Sequence, residues 1–251
     1  MSPAPDFEHA RYARMRWNTP LSEEHGRLLL TRLAIHPGAS LLDIGCGWGE
    51  LLLRAVDSAA ATSGIGVDTD LQALKRGRSL AADRGLDGRV TFVNRAAVDW
   101  EQPADRVLCV GAAHAWGGAG AALVGLRRLV KPGGRLLFGD GCWDKPPSPP
   151  ARELFGSEVL TIRELVECAH RAGWRILHLS TADQREWDDF ESTWRAGREE
   201  WLLANPGDER APTVRAEVDH QLEEYVGTYR EVLGFCYLVL GREPDSPARP
   251  A

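Results

Sequence analysis

The chain has 251 residues, 43% of them apolar or aromatic and 26 of them glycine, proportions that exclude disorder throughout. Thirty Lys and Arg against 36 Asp and Glu leave a net charge of −6 with the signs interspersed, which speaks against a nucleic-acid binder. No uncharged apolar run approaches the roughly 18–20 residues that cross a membrane, and no apolar leader opens the chain. Five cysteines without C-x-x-C spacing argue against a disulfide framework and a structural zinc site.

Residues 1–25 precede the first strand and stand apart from the series of strands and helices. Ser40–Ile44 reads as a strand that enters GCGWGE, followed by a helix over Leu51–Ser58. Gly64–Val67 is a second strand, with a helix over Leu71–Arg84; Arg89–Val93 and Arg106–Val110 are the third and fourth. A helix over Gly120–Val130 is expected to stop at Lys131-Pro132-Gly133-Gly134, a turn. Arg135–Phe138, a helix over Thr161–Ala172, and strands at Trp174–Leu179 and Phe235–Leu240 complete the series. Strands alternating with helices imply an α/β fold with a parallel sheet and right-handed crossovers.

The 183–232 interval is too long for a bare loop and should hold helices. Within it Trp187, Trp194 and Trp201 recur every seven residues with Phe190 between, one helical face that either packs on the main body or roofs a pocket. The expected division is a 1–25 segment, a 26–182 core, a 183–232 helical insertion, a 233–242 closing strand and a disordered 243–251 tail.

Leu41-Leu42-Asp43-Ile44-Gly45-Cys46-Gly47-Trp48-Gly49-Glu50 carries the most information. Glycines at 45, 47 and 49, after a strand and before a helix, let the backbone turn tightly and approach a ligand. The third falls one residue short of the dinucleotide spacing G-x-G-x-x-G, which weakens a nicotinamide reading. Asp68, followed by Thr69, closes the second strand 23 residues beyond Gly45. A carboxylate there can accept both hydroxyls of a ribose, or it can cap the next helix.

With LLDIGCGWGE at 41–50, GIGVDTD at 64–70, RVTFVNRAAVD at 89–99, DRVLCVGAAHAWGG at 105–118 and RRLVKPGGRLLFGD at 127–140, the chain resembles the class I S-adenosylmethionine-dependent methyltransferases over about residues 40–180. GAAHAWGG, LVKPGGRLLFGDGCW and the segment with WLLANP resemble a group of bacterial small-molecule methyltransferases. The resemblance implies a Rossmann-like, seven-stranded, mostly parallel sheet with an antiparallel last strand, and 183–232 as an insertion before that strand. It implies S-adenosyl-L-methionine as cofactor and S-adenosyl-L-homocysteine as product. Asp43, Gly45, Cys46, Gly47 and Gly49 would hold the methionine part, Asp68 and Thr69 the ribose, Ala96 and Ala97 the adenine, and Gly111 the floor beside the sulfonium. Ala96 stands where many members carry an acid for the adenine amine; Asp99 or a backbone carbonyl is the substitute. Residues 1–25 would pass over the cleft as a lid, with Trp17 and Asn18 its candidate contacts.

Ligands of open parallel sheets sit beyond the carboxyl ends of the strands. His114, just past the fourth strand and beside Gly117-Gly118, is the candidate base for a neutral hydroxyl or a protonated amine. Asp140, ending FGD, would orient His114 or a substrate amine. Trp116 and Trp143 flank these positions as aromatic walls. Asp183, Trp187 and Asp188 open the insertion and would line the acceptor pocket; Cys142 reads as an inert thiol. A cytoplasmic enzyme methylating a small molecule, on oxygen or nitrogen and in secondary metabolism, is the leading expectation, with no metal, nucleic acid or membrane and a monomeric or homodimeric state. Protein methylation, nucleic-acid methylation and non-catalytic cofactor binding are the alternatives. The Asn/Asp-Pro-Pro-aromatic turn that nucleic-acid amine methylation uses is replaced by Gly111-Ala112-Ala113-His114.

Overall fold

The strands are short buried runs of Leu, Ile, Val and Phe, and where they meet decides what their ends can hold. The computed structural model describes Tyr12, residues 14–156 and residues 158–242. The strands are β1 (Ser40–Ile44), β2 (Ser63–Asp68), β3 (Val90–Asn94), β4 (Ala104–Val110), β5 (Val130–Trp143), β6 (Leu160–Thr161), β7 (Trp174–Thr181) and β8 (Leu233–Arg242). Their order is β3-β2-β1-β4-β5-β8-β7, with two-residue β6 paired to the end of β5. β1 to β5 pair in parallel, and β8 runs antiparallel to both β5 and β7. This is the expected Rossmann-like α/β sheet plus β6, which is too short to show a hydrophobic period.

The helices are α1 (Glu23–Leu33), α2 (Glu50–Asp57), α3 (Leu71–Asp83), α4 (Ala119–Leu126), α5 (Pro149–Phe155), α6 (Ile162–Arg171), α7 (Gln184–Ala204) and α8 (Ala211–Glu224). Successive strand residues feed opposite layers, as pleating requires. Leu41, Leu137, Tyr237 and Val239 join Leu29, Leu33, Leu52 and Leu74 in one core. Leu42, Phe138, Leu238 and Leu240 join Leu123, Leu126, Leu165 and Trp174 in the other. Progress along the sheet reverses between β1 and β4, because β2 and β3 extend to one side of β1 while β4 and β5 extend to the other. A crevice opens at such a switch point.

Three local features depart from the sequence reading. Lys131-Pro132-Gly133-Gly134 is not a turn but lies inside β5, where pairing with β4 slips register between Ala104 and Arg106. The Lys131 amine, 3.0 Å from both Ser40 Oγ and the Asp105 carboxylate, ties this irregular stretch to the sheet. The preceding helix ends early, at Leu126, in a 3-10 turn over Arg127–Leu129. Helix α5 adds an element, started by Ser148 accepting from the Ala151 N–H and by proline in its first turn.

The 183–232 interval holds α7, α8 and a π-helical turn at Tyr225–Tyr229. The three tryptophans do not form one inward row. Trp187 is buried, Trp194 stacks on Arg198 at 4.2 Å, and Trp201 stacks on Arg210 at 5.1 Å beside a small cluster of Leu202, Val214 and Val218. A straight helix drifts about 20° per heptad, so a seven-residue repeat turns off the buried face. That face is Glu186, Trp187, Glu191, Arg195, Arg198 and Leu202.

Glu186 joins α7 to the strap formed by residues 14–22. It accepts from the Ser22 N–H at 2.8 Å and lies 3.1 Å from His25 Nδ1, while His25 Nε2 is 2.7 Å from Ser180 Oγ. The Tyr237 hydroxyl donates to the Pro20 carbonyl at 2.9 Å and sits edge-on to His25. Burial raises the Glu186 pKa, but the hydrogen bonds from His25, Ser22 and the Asp183 backbone outweigh it and hold the carboxyl at about 2. The 1–11 part of the expected lid and the expected 243–251 tail lie outside the described residues.

Removing one partner of a buried pair costs about 3 kcal/mol, which for a chain this size lowers the melting temperature by roughly 6–12 °C. Glu186→Ala should show that loss at neutral pH, with faster amide exchange confined to residues 14–25. The group's folded pKa is depressed, so its contribution is complete above the ordinary carboxylate range and fades as pH falls towards about 2. Parent and variant melting curves should therefore converge in acid; a constant gap would show that the carboxylate charge is not what holds the strap.

Candidate functional site

The turn after β1 runs through left-handed backbone at Gly45, Gly47 and Gly49, with φ of +68°, +55° and +69°. Two of these glycines are demanded by packing. A Cβ on Gly45 would sit 2.2 Å from Ala112 Cβ, and one on Gly49 would sit 2.5 Å from the Phe92 ring. Gly47 differs, since a Cβ there would meet nothing within 4 Å. Its backbone borders open space. Gly49 N-caps α2 and is turned away from that space.

The Gly45 and Cys46 N–H groups donate to the Val67 carbonyl, binding the loop to the end of β2. Asp68 then accepts from Gly47 N–H at 2.8 Å and Asp70 N–H at 2.9 Å, one on each carboxylate oxygen. Capping of α3 falls to Asp70, which accepts from Gln72 and Ala73. Asp68 is thereby fixed, and each of its oxygens keeps acceptor capacity on the cleft.

The cleft has a volume of about 810 Å³. Asp43, Gly45, Cys46 and Gly47 line it after β1, Asp68 and Thr69 after β2, Ala96 and Ala97 after β3, and Gly111 and His114 after β4. Trp17 and Asn18 of the strap roof it. Asp43 is 5% exposed, and its carboxyl finds no hydrogen bond among the described residues. Burial, reinforced by the charge of Asp68, pushes its pKa up to about 8. Burial likewise pushes the Cys46 thiol well up, so it is packing rather than a nucleophile. Ala96, Ala97 and Val98 make an apolar wall; Asp99, on the 3-10 turn Ala97–Asp99, does not line the cleft.

His114 stands exposed on the 3-10 turn Ala113–Trp116 that follows β4. Asp140 lies across on β5, opposite Cys236 of β8, and does not line the cleft itself. Burial pushes its pKa up to about 6, and the field of nearby His114 pulls the other way. A carboxylate and an imidazole thus share the carboxyl edge of β4 and β5. Burial takes the Cys142 thiol above the thiol range, matching an inert role.

Five other sequence candidates lie outside the cleft, each held by a structural partner. The Trp116 indole covers α4, where a Cβ on Gly125 would be 2.8 Å from its Nε1. Trp143 is buried edge-on to Phe155 at 6.1 Å. Asp183 caps α7. Asp188 is bound by Arg230, Tyr225 and Gln184, and the Arg230 hydrogen bond leads in holding its carboxyl at about 2. Trp187 packs in the core, with its indole N–H buried and unpartnered.

The structure adds residues that pattern reading passes over. Arg76 stacks on Trp48 at 4.1 Å and donates to the Tyr12 and Met15 carbonyls, both at 2.6 Å, while Trp48 Nε1 donates to the Arg16 carbonyl at 2.9 Å. Together they clamp the strap over the cleft mouth. Trp48 stands out in the sequence as the bulky residue within the glycine loop; Arg76, mid-helix, carries no sequence signal. The acids suit a ligand with an ammonium at Asp43 and a diol at Asp68, and the wall at Ala96–Val98 suits a flat heterocycle. No metal-ligating cluster occurs and no helix is long and apolar enough to cross a membrane, among the described residues.

Comparison with known proteins agrees with this cleft. Residues 41–134 match the family described as "Methyltransferase domain". The uncharacterised protein YjhP of Escherichia coli (strain K12) is 31% identical over 232 residues, 90% of this chain and 93% of that one. A crystal structure of a SAM-dependent methyltransferase from Geobacter sulfurreducens, in complex with S-adenosyl-L-homocysteine, is 29% identical with a TM-score of 0.84, covering 98% of this chain and 100% of that one. One from Thiobacillus denitrificans, with the same ligand, is 28% identical with a TM-score of 0.83, covering 94% and 98%.

Asp43 generates a prediction that needs no ligand. Its folded pKa near 8 lies above the unfolded value, so the unfolded chain releases this proton first and stability falls as pH rises from about 4 to about 8. Asp43→Asn should remove that slope, melting above the parent at pH 8 and level with it at pH 4. Equal melting at pH 8 would show that the carboxyl is not strained in the free cleft.

Proposed function

The chain belongs to the S-adenosylmethionine-dependent methyltransferases, and we propose that it methylates a small-molecule acceptor at oxygen or nitrogen. One observation carries the small-molecule reading. The strap is clamped at one end by Arg76 and Trp48 and latched at the other by Glu186, so the cleft is roofed. A folded protein or a duplex has no flat approach to a site so covered, and the net charge of −6 gives nucleic acid no attraction. A role in secondary metabolism belongs to the same proposal.

The residues present fit the cofactor. Asp43 would take its ammonium, Asp68 its ribose hydroxyls, the Ala96–Val98 wall its adenine, and the open backbone at Gly47 its passage along the loop. When bound, S-adenosylmethionine supplies an already activated methyl group on a sulfonium. The chain's own work is to align the acceptor in line at about 3–3.5 Å and to exclude water. Trp17, Asn18 and Thr19 do the excluding from above, and Gly111, in left-handed backbone at φ +71°, lines the cleft beside them.

Where the acceptor is a neutral hydroxyl or a protonated amine, a proton must leave. His114 accepts it at a ring nitrogen, and the Asp140 carboxylate, when ionised, steadies the imidazolium that results. An acceptor that ionises on its own requires only alignment. Turnover of a metabolite library, read as S-adenosylhomocysteine formed, tests the proposal; methylation confined to proteins or nucleic acid would overturn it.

Two variants separate the halves of the site. Asp68→Ala removes charge-assisted hydrogen bonds worth about 1.5–3 kcal/mol, so S-adenosylhomocysteine should bind roughly 10- to 150-fold more weakly by calorimetry. Undiminished binding would move the ribose elsewhere. His114→Ala should lower turnover of a protonated acceptor by about 10²–10⁴-fold with cofactor affinity nearly unchanged. The parent's rate should fall in acid and the variant's profile should flatten; a loss below about fivefold would leave alignment as the mechanism.

A further inference from the structure

We infer that the free protein holds Asp43 as a neutral acid and that the arriving cofactor ammonium expels its proton to solvent. Cofactor capture and release of one proton are then a single event, an inference that rests on the reading of Asp43 as the ammonium site. Asp43 lines the cleft yet is almost wholly buried, and no described residue hydrogen-bonds its carboxyl. Its neighbours across the sheet are Gly66 of β2 and Leu108 of β4, neither with a polar side chain. The thiols of Cys46 and Cys109 lie in its field, and a thiol is a weak donor. The charges nearby do not relieve it. Asp68 acts on Asp43 with the same sign, its own oxygens anchored by the Gly47 and Asp70 N–H groups. Asp70 caps α3, and Glu50, another carboxylate on the cleft, is taken by Arg54 and Arg84. Of the cations lining the cleft, Arg16 pairs with Glu23, and Arg76 with the Tyr12 and Met15 carbonyls. Arg95 follows β3, one strand beyond Asp68, and His114 acts on Asp140 instead. None of these cations contributes to the field at Asp43. A carboxyl that has lost hydration and meets a like charge ionises reluctantly, and the upward push to about 8 agrees.

A ligand ammonium against Asp43 reverses this, since it brings the opposite charge and three N–H donors. The O–H bond of the acid breaks, its electron pair stays on the carboxylate, and the proton passes to solvent while the ammonium keeps its own hydrogens. Once paired, the group should return to the ordinary carboxylate range, about 4. The complex therefore holds one proton fewer than the separate partners wherever pH lies between about 4 and about 8. Affinity must rise with pH across that window, by close to tenfold per unit. Below it both states are protonated, above it both are ionised, and the dependence disappears. A ligand that has adenine and ribose but no ammonium leaves the proton in place. The cleft thus carries no buried negative charge at Asp43 until a cation arrives to pair with it, and neutral nucleosides gain nothing from that wall.

The test is calorimetry of the full chain with S-adenosylhomocysteine in phosphate and in imidazole at matched pH. The difference in apparent enthalpy between the two buffers counts the protons released. Methylthioadenosine, which shares adenine and ribose but lacks the amino-acid end, is titrated in parallel. Between pH 5 and pH 7 neither the ammonium nor the carboxylate of the ligand changes charge. S-adenosylhomocysteine should release close to one proton at pH 6.5 and bind roughly 50- to 100-fold more tightly at pH 7 than at pH 5. Methylthioadenosine should do neither, and a proton drawn from His114 or Asp140 would appear with both ligands. Asp43→Asn should bind S-adenosylhomocysteine without that release and with an affinity that no longer climbs between pH 5 and pH 7. The two-ligand comparison is made on the parent, so it stands whether or not the variant folds. The inference is overturned if S-adenosylhomocysteine binds with no proton released, if methylthioadenosine releases as many, or if Asp43→Asn releases as many as the parent. Binding without release would leave the cofactor reading standing; no binding of S-adenosylhomocysteine at all would sink both.

Discussion

A Cβ on Gly45 would fall 2.2 Å from the Cβ of Ala112, so the backbone of the loop after β1 packs directly on the Ala112 methyl of the loop after β4, at the switch point of the sheet. That approach organises the rest of the molecule. It brings Asp43 and Gly47, which face one half of the cleft, against Gly111 and His114, which face the other. Methyl transfer needs two reactants held in line, and a close contact between these two loops suits that demand. The left-handed turn at Gly45 is the local strain that makes the approach possible, and glycine is the residue that tolerates it.

The cover over this cleft is assembled from distant parts of the chain that depend on one another. Neither strap nor α7 has a large core of its own, apart from the small cluster around Val214 and Val218. They are held by polar ties, namely Arg76 to the Tyr12 and Met15 carbonyls, Glu186 to Ser22 and His25, and Glu200 to Arg14. These ties act together with the apolar packing of Leu21 and Trp187 in the main core, so strap and α7 are fixed to the body by both. The main sheet, buried on both faces, carries the rigidity.

How much of this could be read from the sequence depended on how local each feature is. The glycine loop and Asp68 announce themselves because a positive-φ turn and a strand-end acid must stand at set places along the chain. The sheet followed from alternating apolar runs. Lys131-Pro132-Gly133-Gly134 misled because its long-range tie to Ser40 and Asp105 outweighs the local turn preference. The aromatic candidates were ambiguous for a related reason. Trp116, Trp143 and Trp187 sit near the functional edge in sequence, yet a pleat sends Trp143 and a helix face sends Trp187 into the core, while Trp116 lies half-buried against α4. Asp183 and Asp188 are absorbed by a cap and an ion pair. Arg76 and Glu186 left no trace because their roles are set by partners more than 60 residues away.

The antiparallel β8 has a consequence for how the molecule comes into being. It lies between β5 and β7, pairing with nine residues of one and seven of the other, although it comes after the whole α7–α8 segment in the chain. Until residues 233–242 are available, β7 has no neighbour in the sheet and β5 shows an open edge along most of its length. A chain emerging from the ribosome can build β1 to β4 and the loop after β1 early, but the half of the sheet beneath Asp140 must wait for residues 233–242. The β5-β8-β7 side is therefore the late-folding side, and its exposed apolar edges are where a stalled or truncated chain would aggregate.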